Sequence, residues 1–196
     1  RHYNFLSALA KKDILPRVPA VSWQKHLVPD PADPPYVVLN PGSNEYGRRW
    51  PFESYLNIAE ILHNLGYQIV IVGGRGEHTG DHRERFGNDE SITDLAGKTS
   101  LPELMNILKN AVCTICNDTG PAHLSIALGT PTVVIVGGGH FGSFVPYPES
   151  STPSHARFVY EEMSCYHCFW RCHKRATKFD VFPCVSAVSE EKVIKS

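Results

Sequence analysis

The stretch Asn117-Asp118-Thr119-Gly120-Pro121-Ala122-His123-Leu124 decides the fold, because it must turn the chain between two apolar runs. Before it, residues 112–116 read VCTIC, short, apolar and rich in strand formers; after it come LSIALG (124–129) and TPTVVIVGGG (130–139). The order is strand, turn, helix, strand. Pro121 would disrupt a helix interior but suits its first turn, where no intrahelical N–H bond is lost. Asp118 or Thr119 can cap the same end with a side-chain oxygen, and Gly120 leaves the backbone bare. The result is an uncovered helix N-terminus at the carboxyl end of a strand. Its free N–H groups attract phosphate or another anion.

The same alternation extends upstream. YVVLN (36–40) reads as a buried strand, and ESYLNIAEILHNLG (53–66) as a helix with Tyr55, Ile58, Ala59, Leu62 and Leu65 on one face and Gly66 as its stop. QIVIVGG (68–74) is a second strand, the charged residues 77–85 a short helix, ITDLAGK (92–98) a short strand and turn, and LPELMNILKN (101–110) a helix. Alternating apolar strands and helices give an α/β, Rossmann-like, doubly wound parallel sheet over about residues 36–140. Ligands in such sheets sit at the carboxyl ends of the strands. Residues 1–15 fit one amphipathic helix with Phe5, Leu6 and Leu9 on one side. Residues 16–35 are rich in proline, end in PDPADPP, and read as a stiff linker and domain boundary.

Composition narrows the function classes. A chain of 196 residues suits one domain, with 42% hydrophobic residues to supply a core. A net charge of −1 gives no global field to recruit nucleic acid or an anionic membrane. No apolar run approaches the ~20 residues that span a bilayer, and the opening residues lack the apolar region of a signal peptide. The chain does not begin with Met, so a piece of something longer is expected. Cys113 and Cys116 lie in an apolar strand as small hydrophobes. Nothing resembles a secreted disulfide scaffold, which points to a cytoplasmic protein.

Several segments after strands can carry chemistry, and each has a plainer alternative. In NPGSNEYGRRWP (40–51), Ser43 and Asn44 offer hydrogen bonds, and Arg48 and Arg49 offer guanidinium forks that suit a diphosphate; a solvated surface loop is the other reading. In GGRGEH (73–78), Glu77 can accept from ribose hydroxyls or sit in a first helical turn facing the dipole; the full dinucleotide-binding spacing is absent. In LAGKTSLPEL (95–104), Thr99 or Ser100 caps the next helix with Glu103 at the capping-box position, and the backbone around Thr99 is a candidate ligand contact. His123 shares the first turn of its helix with the bare N-terminus and can add a donor or a positive charge. Asp118 repels phosphate, so it reads as a cap or as a partner for a sugar hydroxyl. GGGHFGSF (137–144) reads as a flexible loop able to lie over a ligand, with His140 touching it or solvated.

NPGSNEYGRRWP, AGKTSLPEL, NDTGPAHLSIALGTPTVVIVGG and the terminal PCVSAVSEEKV resemble the carboxyl-terminal half of heptosyltransferase-type glycosyltransferases, over about residues 36–196. That resemblance implies the donor-binding half of a GT-B fold, transferring heptose from ADP-heptose to a lipopolysaccharide core with inversion and no metal requirement. It places Ser43, Asn44 and Arg48 at the diphosphate, with Arg48 where the family usually has Lys. Glu77 would meet the ribose, the backbone near Thr99 the adenine, and Asp118, Thr119, Gly120 and His123 the sugar and phosphates. Arg48 and His123 would stabilise transition-state charge. The catalytic base, an Asp, would lie in an amino-terminal half of which residues 1–15 are the tail, and that half would choose a lipid-linked acceptor and make any peripheral contact with the inner face of the inner membrane. Another nucleotide-sugar enzyme of this fold, or a non-catalytic nucleotide-sugar-binding module, are the alternatives.

The segment 165–184, CYHCFWRCHKRATKFDVFPC, spaces its cysteines as C-x2-C-x3-C-x11-C. Cys165, Cys168, Cys172 and Cys184, with His167 and His173 nearby, meet the ligand count for structural zinc; disulfides, free thiols and an iron–sulfur cluster are the alternatives. Related transferases carry cysteines here, which implies a local staple. FWRCHKR mixes aromatics with cations, so a nucleic-acid-binding zinc module is a second function class.

Overall fold

Val37, Val38 and Leu39 are each at most 2% exposed and form the middle of the strand on which the sheet is built. The computed structural model describes residues 2–15, 17–23, 34–76 and 82–196, with side chains from Leu6 onward. Most of the proline-rich stretch and Glu77 fall outside the described residues. The strands are β1 (Tyr36–Asn40), β2 (Gln68–Ile71), β3 (Ile92–Asp94), β4 (Cys113–Asn117), β5 (Thr132–Ile135) and β6 (Ala156–Val159). The helices are α1 (His2–Ala10), α2 (Phe52–Asn64), α3 (Arg83–Phe86), α4 (Leu101–Asn110), α5 (Gly120–Ala127), α6 (Pro183–Ser186) and α7 (Glu190–Ile194).

All five strand pairings are parallel, in the order β3-β2-β1-β4-β5-β6. The chain works outward from β1 to β3, then returns to β4 on the other side of β1. Loops after β1 and β4 therefore leave in opposite directions and open a crevice, the switch point where open α/β sheets bind ligands. The sheet runs beyond the 36–140 read from sequence: β6 adds an edge strand, whose ARFV has too short and mixed a pattern to stand out.

Local chemistry sets each helix. Ser100 and Glu103 form the expected capping box at the start of α4, and Lys109 lies in its last turn. Tyr55, Leu56, Ile58 and Ala59 are the buried face of α2, and Gly66 (φ 91°) follows its end. α5 rests on β4 and β5 through a chain of buried hydroxyls: Ser125 donates to Thr114 at 2.9 Å, and Thr132 donates to Ser125 at 2.8 Å. Because those groups are satisfied only with α5 in one place, they aim its N-terminus at the crevice. α1 stops at Ala10, earlier than the amphipathic run suggests, and Leu6 and Leu9 are exposed. Residues 17–23 lie against the domain: the Val21 N–H donates to the Ala127 carbonyl at 2.9 Å, and Val21 and Trp23 pack on the core cluster that includes Val38, Leu108 and Leu128. Cys113 and Cys116 behave as the hydrophobes expected, and burial pushes the Cys113 thiol up to about 11.

Candidate donor-binding site

Two buried asparagines build the crevice. Asn117, at the end of β4, accepts from the Trp50 N–H at 3.0 Å and the Tyr55 hydroxyl at 3.1 Å, and donates to the carbonyls of Pro41 (2.8 Å) and Gly42 (3.3 Å). Asn40, at the end of β1, donates to the Val72 carbonyl at 2.9 Å and accepts from the Thr119 hydroxyl at 3.0 Å. These amides bind the loops after β1, β2 and β4 to one place. Neither stood out in the sequence as a site residue; the available signal was a polar amide closing each of two apolar strands.

The loop after β1 separates the two arginines. Arg49 donates through Nε to the Ser43 carbonyl at 2.8 Å and lies over the Tyr46 ring, 5.3 Å from its centroid. Arg48 lies over the Trp170 ring at 5.3 Å, and its Nε is buried without a hydrogen-bond partner among the described residues. The Ser43 hydroxyl, on a residue 1% exposed, is likewise buried and unpartnered. Asn44 is exposed at the loop's edge.

The N-terminus of α5 is as bare as the sequence suggested. Thr119 occupies the cap position but makes no capping bond with its side chain, which is committed to Asn40. Asp118 does not cap either: its backbone N–H bonds the Ile135 carbonyl at 3.1 Å, and its carboxylate is 3.9 Å from His123 Nε2. Burial raises the Asp118 carboxyl above the ordinary range, opposed by the Arg48 guanidinium and by the nearby rings of His123 and His140. Those four side chains therefore share one electrostatic environment. His123 Nδ1 is 2.6 Å from the Tyr147 hydroxyl. A β-carbon added at Gly120 would meet nothing within 4 Å among the described residues, so no contact with them requires glycine there. Thr99 follows β3, two strands from β1 and so roughly 10 Å along the same crest. The Gly97 N–H joins its loop to the Gly73 carbonyl at 2.9 Å.

The glycines of GGGHFGSF do not make a free loop. Gly137, Gly138 and Gly139 are buried, and a β-carbon would come within 2.2 Å of the Tyr166 ring at Gly138 and of the Trp170 ring at Gly139. Glycine here admits aromatic rings and not a ligand, because flexible and close-packed glycines read alike in a sequence. The Trp170 indole N–H donates to His140 Nδ1 at 3.2 Å.

The rings come from the cysteine-rich segment. Cys165, Cys168, Cys172 and Cys184 are all free thiols, and all four line one cavity of about 10 Å³, room for a single water-sized occupant. Burial pushes the Cys184 thiol up, the Gly138 N–H at 3.3 Å pulls it back, and the sulfurs of Cys165, Cys168 and Cys172 push it up again. His167 and His173 are not among the residues lining the cavity. Among the described residues, no three His, Cys, Asp or Glu side chains already stand in ligating geometry around one point.

Fold and crevice together define a Rossmann-like domain with an uncapped helix N-terminus at its switch point. Residues 9–173 match glycosyltransferase family 9 (heptosyltransferase), and the chain belongs to that family. It is 30% identical over 118 residues to lipopolysaccharide heptosyltransferase 3 of Escherichia coli K12, covering 59% of this chain and 34% of that one. The solved ADP-heptose lipopolysaccharide heptosyltransferase II of E. coli superposes with a TM-score of 0.64 at 23% identity, over 82% of this chain and 44% of that one. The iron-containing dodecameric heptosyltransferase TibC, solved with ADP-D-β-D-heptose, superposes with a TM-score of 0.58 at 20% identity, over 94% and 48%. The chain thus spans about a third of the curated relative and under half of each solved structure.

Asp118 sets a pH dependence. A carboxyl raised in the folded state favours folding while protonated, so its contribution is present below the unfolded value and is lost as pH rises through the folded one. Asp118→Asn removes that loss. Thermal melts should show the variant more stable than wild type at pH 7, with the gain gone below about pH 4. A variant less stable than wild type at pH 7 would show the carboxylate to be stabilising.

Proposed function

We propose that this chain is the donor-binding half of an inverting glycosyltransferase that holds ADP-heptose while the sugar passes to a lipopolysaccharide core acceptor. The observation that carries this reading is the pair of buried, unpartnered donors, the Ser43 hydroxyl and Arg48 Nε, beside an uncapped helix N-terminus. A buried polar group without a partner costs about 1–3 kcal/mol, and donors of this kind are satisfied by anionic oxygens. A diphosphate supplies several at once. Membership of a heptosyltransferase family supports ADP-heptose as the donor that carries it.

As the bond from the anomeric carbon to the diphosphate lengthens, the sugar gains oxocarbenium character and negative charge grows on the leaving group. The α5 N–H groups, Arg48 and His123 stabilise that charge. Asp118, a poor neighbour for phosphate, takes a sugar hydroxyl. Asn44 borders the phosphates, Glu77 is assigned to the ribose and the Thr99 backbone to the adenine. The base that activates the acceptor belongs, in this reading, to the part of the fold that this sequence does not cover, as does acceptor choice. Among the described residues no helix is long and apolar enough to cross a membrane. Six free cysteines suit a reducing compartment, in keeping with work at the cytoplasmic face of the inner membrane.

The thiol cluster supports a second proposal: Cys165, Cys168, Cys172 and Cys184 hold one structural metal ion, zinc in the first instance. Four thiols around a space for one small occupant suit a tetrahedral site, which would form as the sulfurs draw inward. TibC makes iron the other metal to look for. Elemental analysis of protein purified without added metal should find close to one ion per chain, absent from a Cys168→Ser/Cys172→Ser variant. Metal-free protein, or metal retained by the variant, would refute the site.

Titration calorimetry against ADP, UDP, GDP and ADP-heptose tests the donor reading. ADP should be preferred, with the heptose tightening it. Gly120→Val, whose side chain enters open space, should melt as wild type does yet bind ADP at least roughly tenfold more weakly, as loss of a helix-terminus anion site requires. Unchanged binding by Gly120→Val would remove the helix end from the site, and a preference for UDP or GDP would change the donor.

A further inference from the structure

Trp170 touches both Arg48 and His140 while standing outside the two loops that form the crevice. Arg48 lies over its ring, 5.3 Å from the centroid, and its indole N–H donates to His140 Nδ1 at 3.2 Å. The ring is itself wedged. It presses on Gly139, where a β-carbon would come within 2.2 Å, and stacks on Phe182 with centroids 5.2 Å apart.

The backbone that carries Trp170 is constrained to the same end. His167 (φ 66°), Phe169 (53°) and Trp170 (62°) all adopt the left-handed region; among the described residues only one other non-glycine, Lys11, does so. Such conformations persist where the surroundings over-determine them, and they gather at functional sites. Here the surroundings are two backbone bonds, from the His167 N–H to the Gly138 carbonyl (2.8 Å) and from the Phe169 N–H to the Gly139 carbonyl (3.0 Å), with the four thiols behind. A loop built only to cover the sheet would not need three strained residues in four.

The chemistry of the two contacts differs. Over the ring face, a guanidinium keeps its N–H edge available to an anion. At His140, an accepting Nδ1 leaves the proton of the neutral ring on Nε2, which is then a donor. We propose that Trp170 is a positioning residue for the donor diphosphate, holding Arg48 in place and orienting His140 so that both meet the phosphates without rearrangement. This rests on the donor-binding reading above. It gives the cysteine-rich segment a role in substrate binding as well as in packing.

ADP titrations on a set of variants of the full chain, with thermal melts alongside, test it. Trp170→Leu should weaken ADP roughly tenfold. In an Arg48→Ala background the same change should cost less than about threefold, because a residue acting through Arg48 has little left to act on. Trp170→Phe keeps an aromatic face but lacks the N–H. It should recover most of the loss, and its remaining deficit should vanish in a His140→Ala background; this arm also serves if Trp170→Leu folds poorly. Equal losses in both backgrounds would overturn the proposal, since a ring that merely supports the fold acts regardless of Arg48. If wild type binds ADP and neither Trp170 variant weakens it, the proposal alone fails. If wild type binds no nucleoside diphosphate, the donor-binding reading fails and this one with it.

Discussion

The site depends on the side chain of Asn117. A fully buried amide must find partners for its oxygen and its N–H groups, and Asn117 finds them in the loop after β1 and in α2. Those bonds exist only when residues 41–51 fold back beside the start of α5. The parallel sheet would open a crevice at its switch point whatever filled that position, but Asn117 determines which backbone lines it. Asn40 does the same from β1 by holding Thr119. Since Thr119 is thereby diverted from capping, one interaction both fixes the loop and leaves the helix end bare.

Against that satisfied framework, the exceptions stand out. Ser43 and Arg48 each leave a buried donor unspent, and Asp118 keeps a carboxyl where burial disfavours its charge. Each is a cost the fold bears at one location, the pattern expected where binding and not stability has set the residue. The cysteine-rich segment completes the arrangement from the far side: its aromatic rings fill the space left by three glycines and reach Arg48 and His140.

The alternation of strands and helices, the bare N-terminus at Gly120-Pro121 and the capping box at Ser100 were legible in the sequence because each rests on local chemistry. The crevice could be located but not resolved: residue type alone offers Arg48 and Arg49 equally and only the family resemblance singles out Arg48, whereas packing shows Arg49 Nε spent on the Ser43 carbonyl and Arg48 Nε without a partner among the described residues. The buried asparagines were missed for a related reason, since their partners lie far away in the chain, Trp50 for Asn117 and Thr119 for Asn40. Gly137–Gly139 were misread as a mobile cover because the rings that need them come some 30 residues later. Strand β6 carries an exposed Arg157 within four residues, too little pattern to read.

The most direct test is a crystal structure of the chain with ADP. The expected result is a diphosphate within hydrogen-bonding distance of the Ser43 hydroxyl, Arg48 Nε and the first N–H groups of α5. A diphosphate bound elsewhere, with Ser43 and Arg48 still unpartnered, would contradict the assignment of this crevice as the donor site.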